Sequence, residues 1–143
     1  MKSPDARILY TEDDADTREL VTLVLELQNC QVIATGSHDE ALRLAQAEQF
    51  DLYLLDNWIP GISGVRLCQL LREVDPHTPV LFYSGAAYER DKARALASGA
   101  QGYLVKPVDG DELAAEVLRL ISESRQSGSQ ILNSKRSHAA SWK

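Results

Sequence analysis

Five short apolar runs alternate with five stretches of helical periodicity along the 143 residues of this chain. Few folds accept that order. The runs are Arg7 to Thr11, Gln31 to Thr35, Asp51 to Leu55, Pro79 to Tyr83 and Gly102 to Val105; most are rich in Val, Ile, Leu and Tyr and all are bounded by turn residues, as strands are. Between them apolar side chains recur at helical spacing: Leu20, Leu23, Val24 and Leu27; Ala41, Leu44 and Ala45; Leu67, Leu71 and Val74; Ala93, Leu96 and Ala97; then Leu113, Val117, Leu120 and Ile121. Each set predicts a helix turned toward a core. Repeated βα units close as a parallel sheet with helices on both faces, so an α/β fold is expected. Helix-start signals agree: Asp14 precedes the first helix, and Ser37 with Glu40 and Asp109 with Glu112 have capping-box spacing.

Length and charge narrow the class further. The chain suffices for one domain with a substantial core. No apolar run approaches the ~20 residues of a membrane span, and Met1-Lys2-Ser3-Pro4-Asp5 lacks the apolar stretch of a signal peptide, so a cytoplasmic protein is expected. Cys30 and Cys68 sit in apolar patterns without partners at zinc spacing and are expected as buried free thiols. A net charge of −6 argues against direct nucleic-acid binding, which needs a basic face. The charge is uneven, because Arg125, Lys135, Arg136 and Lys143 close the chain with no acid among them. After Ser124 the apolar pattern fades into a Ser-rich stretch in which Ile131, Leu132 and Trp142 are the sizeable apolar residues. The expected organisation is therefore a domain over 1–124 and a basic tail or linker over 125–143, with no output domain.

In a parallel sheet all strands end on one edge, and residues just beyond those ends become neighbours. Glu12, Asp13 and Asp14 follow the first strand, Asp56 the third, Ser84 the fourth and Lys106 the fifth. An Asp before a Pro-Gly turn, as Asp56 is, most often caps the turn. The set is harder to dismiss. Two carboxylates ~5 Å apart repel by ~3 kcal/mol at an effective dielectric of ~20, so this cluster calls for a cation. Hard oxygen ligands with little histidine favour Mg²⁺. A carboxylate beside Mg²⁺ and a lysine can attack a phosphoryl group, since both cations neutralise its oxygens.

Glu12-Asp13 after Ile8-Leu9-Tyr10-Thr11, Asp56 before Pro60-Gly61 and Gly64, Ser84 after Val80-Leu81-Phe82-Tyr83, and Tyr103-Leu104-Val105-Lys106-Pro107 together resemble the response-regulator receiver domain. The resemblance covers residues 6 to 124. It implies the flavodoxin-like, CheY-like fold, a doubly wound five-stranded parallel sheet of order 2-1-3-4-5 with five helices. It also implies a phosphoacceptor in two-component signalling. Asp56 would take phosphate from a histidine kinase or phosphotransfer protein. Asp13 and Asp56 would bind Mg²⁺ directly, Glu12 through a water and Trp58 through its backbone carbonyl. Lys106 and Ser84 would contact the phosphoryl group, and Tyr103 would swing inward as Ser84 moves. The Lys106-Pro107 bond would be cis. Such a domain is no enzyme beyond its own phosphoryl transfer and slow dephosphorylation. It would signal to a downstream protein or output domain through its fourth helix, fifth strand and fifth helix, with a phosphorylation-dependent dimer as one outcome.

Three residues depart from the commoner pattern. Ser84 stands where Thr is usual, keeping the hydroxyl; Trp58 is bulky two residues after Asp56; Ala86 offers no polar group two residues after Ser84. The expectation is a long-lived phosphate, because attacking water is excluded or unoriented. A Mg²⁺-dependent aspartyl-phosphate phosphatase would place a second Asp where Trp58 is, and a flavin carrier would not place three acids after the first strand. A receiver-like module that is never phosphorylated is the remaining alternative.

Overall fold

The computed structural model describes the backbone of residues 3–140 and the side chains of residues 3–128. Its seven strands and five helices follow in the order β1 Ala6–Thr11, α1 Ala15–Glu26, β2 Cys30–Thr35, α2 His38–Ala47, β3 Leu52–Leu55, β4 Trp58–Ile59, β5 Ile62–Ser63, α3 Gly64–Val74, β6 Val80–Ser84, α4 Glu89–Ala97, β7 Gly102–Val105 and α5 Gly110–Ala140. Five of the strands form one parallel sheet, β2-β1-β3-β6-β7, which is the expected 2-1-3-4-5 order. The short β4-β5 pair is an antiparallel hairpin turning at Pro60-Gly61, which two-residue strands leave invisible to pattern reading.

Alternate side chains along each strand supply the two faces of the sheet. Ile8, Tyr10, Leu54, Leu81 and Tyr83 pack with Val21 and Leu25 of α1 and with Leu113, Val117 and Ile121 of α5. Leu9, Tyr53, Leu55, Val80 and Phe82 pack on the other face with Ala41 and Leu44 of α2, Leu67 and Leu71 of α3 and Ala95 of α4. Strands buried on both sides explain the nearly continuous apolar runs. Both cysteines are buried and free.

Two helices are turned differently from the apolar periodicity. In α1 the core side is Val21 and Leu25, whereas Leu20, Leu23 and Leu27 are 63%, 55% and 76% exposed. Both stripes have helical spacing, so periodicity alone cannot choose between them. The same holds for α4, where Ala95 is the buried contact and Ala93, Leu96 and Ala97 face outward. The expected caps are present: Asp14 accepts from Thr17 N at 2.9 Å, Ser37 from Glu40 N at 3.3 Å and Asp109 from Glu112 N at 2.8 Å. Backbone helix continues past Ser124 to Ala140 where sequence reading places a tail; its serines cost at most ~0.7 kcal/mol of propensity each and Gly128 ~1 kcal/mol. The side chains of Ile131 and Leu132, and all of Trp142, lie outside the described residues.

At the sheet edge far from the acidic residues, Arg72 of α3 acts as a clamp. It donates to the Gly99 carbonyl through Nε at 3.0 Å and Nη2 at 2.8 Å, to Gln101 Oε1 at 2.7 Å and to the Asp75 carbonyl at 3.2 Å. Arg72→Ala is expected to lower unfolding free energy by about 2 kcal/mol, because charge-assisted bonds to half-buried carbonyls lose their donor. A urea denaturation midpoint equal to the wild type would refute that role.

Candidate functional site

The strand registers set the level at which each functional side chain stands. Thr11 pairs with Thr35 and Leu55, Leu55 with Phe82 and Phe82 with Tyr103, so these strands end on one edge, where Lys106 begins two residues beyond the level of Asp56. Main-chain bonds continue the alignment one residue further: Asp56 N donates to Thr11 O at 3.1 Å, Glu12 N to Thr35 O at 2.9 Å and Lys106 N to Ser84 O at 2.8 Å. Glu12 and Asp56 are thereby buried, 1% and 6% exposed, while Asp13 faces solvent.

Carboxylate oxygens of Glu12, Asp13 and Asp56 all lie within 4.8 Å of one another. Lys106 Nζ donates to Glu12 Oε1 and lies 3.5 Å from Asp56 Oδ2. Its ammonium also stands 5.5 Å from the centre of the Tyr83 ring. Burial pushes the Glu12 carboxyl up to about 7, helped by its hydrogen bond to Asp56 and the Asp56 charge, with Lys106 opposing. Burial would raise Asp56 too, but the Glu12 hydrogen bond, the Lys106 charge and the Trp58 N–H outweigh it and hold Asp56 below its ordinary value.

The buried Glu12 Oε2 has no hydrogen-bond partner, and three hard oxygen donors converge around it. That donor set fits a small divalent cation such as Mg²⁺. Asp13, Asn57 and Trp58 line one open cavity of about 520 Å³ beside the triad, together with Ile59 and Pro60. Trp58 N–H donates to Asp56 Oδ1 at 3.4 Å. Its indole is 65% exposed and crosses toward the loop after β6, where a Cβ on Gly85 would lie 3.8 Å from Cζ3.

Ser84 is fully buried, and its Oγ accepts from Ala86 N at 3.2 Å. Tyr103 already points inward: its ring stacks on Phe82 at 5.7 Å and its hydroxyl donates to the Ala86 carbonyl at 2.6 Å. The Lys106-Pro107 bond is cis. All the residues singled out in the sequence thus meet at one edge. Sequence reading missed Arg18, which reaches the same loop from α1.

This fold and this edge define a flavodoxin-like α/β domain of the CheY type. Its sequence matches the response regulator receiver domain over residues 8–118, and the chain belongs to that family. It is 32% identical over 126 residues to the cell cycle response regulator CtrA of Brucella ovis, covering 88% of this chain and 54% of that protein. The chain therefore spans about half the length of the curated relatives it matches. Among solved structures, the receiver domain of Francisella response regulator 1452 is 27% identical with a TM-score of 0.79, covering 84% of this chain and 99% of that one. A CheY-like receiver from Methanospirillum hungatei shares the fold at 24% identity with a TM-score of 0.82, covering 85% of this chain and 98% of that one. Among the described residues, no helix is long and apolar enough to cross a membrane.

Proposed function

We propose that this chain is a phosphoacceptor in a two-component phosphorelay, taking a phosphoryl group onto Asp56 from a histidine kinase or phosphotransfer protein. The carrying observation is an ionised, buried carboxylate at a sheet edge, flanked by a lysine and two further acids. Asp56 attacks phosphorus, the phosphorus–nitrogen bond to the donor histidine breaks, and the imidazole leaves with the electron pair. The carboxylates of Asp13 and Asp56, the Trp58 carbonyl and, through a water, Glu12 would hold Mg²⁺, which would supply positive charge to offset that of the transferring oxygens. Lys106 leaves Glu12 to pair with the incoming group, and the Ser84 hydroxyl donates to it while Tyr103 holds its inward place. Phosphate thus favours one conformer of the loops after β6 and β7, which reads out through the face of α4, β7 and α5 to a protein partner, an output domain or a second copy. The chain turns over no separate substrate. Cytoplasm is the compartment this relay implies.

The test is incubation with Mg²⁺ and acetyl phosphate, read by intact mass. One phosphoryl adduct is expected on the wild type and none on Asp56→Asn. Absence of an adduct with acetyl phosphate and with kinases would leave an unphosphorylated binding module as the better reading, and steady phosphate release from general monoesters would favour a hydrolase.

Trp58 leaning over Gly85 and the apolar Ala86 support a long phosphate lifetime. The double variant Trp58→Asn with Ala86→Glu is expected to lose phosphate at least about tenfold faster, because a polar group then orients the attacking water. Unchanged decay of the adduct, followed by mass over time, removes the idea.

A further inference from the structure

Behind the acidic loop stands Arg18, a half-buried residue in the first turns of α1. Helical side chains point back toward the helix N-terminus, so its guanidinium folds onto the loop preceding its own helix. Nη1 donates to the Glu12 carbonyl oxygen at 2.8 Å and to the Asp13 carbonyl oxygen at 3.2 Å. Both side-chain bonds go to main chain rather than to a carboxylate. Together with the Glu12 N–H on Thr35 O at 2.9 Å, they hold three consecutive peptide groups, from Thr11-Glu12 to Asp13-Asp14.

Gly36, just after β2, makes the space for this clamp. A Cβ there would lie 2.9 Å from Arg18 Nη1, 3.5 Å from the Glu12 carbonyl oxygen and 3.6 Å from Asp13 Cα. Guanidinium and acidic loop fill the volume a side chain would take.

We propose that Arg18 is a positioning residue for the cation site, fixing the main chain of Glu12 and Asp13 so that their carboxylates meet that of Asp56, a role that rests on the phosphoacceptor reading. The three carboxylates repel one another, and Asp13 is exposed and free to turn outward. Fixed peptide groups on both sides of Glu12 and beyond Asp13 oppose that. The guanidinium adds a permanent positive charge behind the triad without occupying any carboxylate oxygen the cation needs. Without the clamp, the cation must gather its ligands from a relaxed loop, and affinity falls.

The experiment is a calorimetric Mg²⁺ titration of the full chain, paired with acetyl phosphate labelling over a range of Mg²⁺ concentrations. Arg18→Ala is expected to weaken Mg²⁺ binding about tenfold or more, the usual effect of losing a residue that orients ligands, with labelling restored at saturating Mg²⁺. Arg18→Lys keeps the charge but on a shorter side chain without the planar guanidinium that reaches both carbonyls, and should fall between. Gly36→Ala displaces the guanidinium and should act in the same direction, so the idea stays testable if Arg18→Ala does not fold. Arg72→Ala, which loosens the opposite end of the domain, should leave Mg²⁺ affinity unchanged. Wild-type Mg²⁺ affinity in folded Arg18 variants overturns the role, as does a labelling defect that saturating Mg²⁺ leaves in place. A wild type that binds no Mg²⁺ instead overturns the phosphoacceptor reading, and this role with it.

Discussion

Gly64→Ala is expected to cost the fold about 3 kcal/mol and to depress labelling of Asp56 in the fraction that still folds. Gly64 is the buried first residue of α3, and its N–H donates to the Asn57 carbonyl at 2.8 Å. A Cβ there would stand 2.3 Å from the Asp56 carbonyl oxygen, 2.8 Å from Asn57 Cα and 3.0 Å from Phe82 Cε2. Two of these three atoms are main chain and cannot rotate away. Either α3 lifts from the sheet or the Asp56-Asn57 peptide moves, and the second choice carries the Asp56 carboxylate with it. A loss of this size should lower the melting temperature by roughly 10 °C. Urea unfolding and the initial labelling rate check the two halves separately; a wild-type midpoint would show that the close approach relaxes freely.

Lys106→Met is expected to destabilise the Mg²⁺-free protein by about 3 kcal/mol at pH 8 and by much less at pH 5. The ammonium bonds Glu12 and stands beside Asp56, and both carboxylates are buried. Removing it leaves two buried charges without a partner at pH 8, but only that of Asp56 at pH 5, where Glu12 is protonated. The Glu12 carboxyl is raised from 4.5 to about 7, so the stability linked to its proton is fully present below pH 4.5 and is lost as pH rises through 7. Asp56 is lowered from 3.8, so its contribution is present above that value and lost only in more acid solution, outside the pH 5 to 8 window. Unfolding in EDTA at the two pH values decides the matter. Equal losses at pH 5 and pH 8 would mean that the Glu12 proton plays no part.

Strand ends made most of the site legible. Glu12, Asp56, Ser84 and Lys106 each sit at a break from apolar run to polar residue, and a parallel sheet leaves such breaks only one edge to share. α2 and the part of α5 up to Ser124 were equally legible because each has one apolar stripe and that stripe is buried. α1 carries two stripes. Its three exposed leucines look more like core than Val21 and Leu25 do, yet the packing of Val21 and Leu25 against β-strand and α5 side chains decides the rotation. Arg18 was illegible for another reason, since it recognises carbonyl groups, and every residue type carries a carbonyl. Only its place in the first turns of a helix behind an acidic loop hints at it. Trp58 was noticed as bulky, but the hairpin that carries it is too short to show as a strand pattern.

The ion pairs of Lys106 join residues very far apart in the chain: it lies 94 positions from Glu12 and 50 from Asp56. Such contacts close long loops and form late, because their entropy cost precedes any reward. During synthesis at roughly 5–20 residues per second, the acids emerge seconds before the lysine does. The cluster is therefore among the later features a nascent chain can complete, and the proposed acceptance of phosphate would double as a report that the sheet from β1 to β7 has closed.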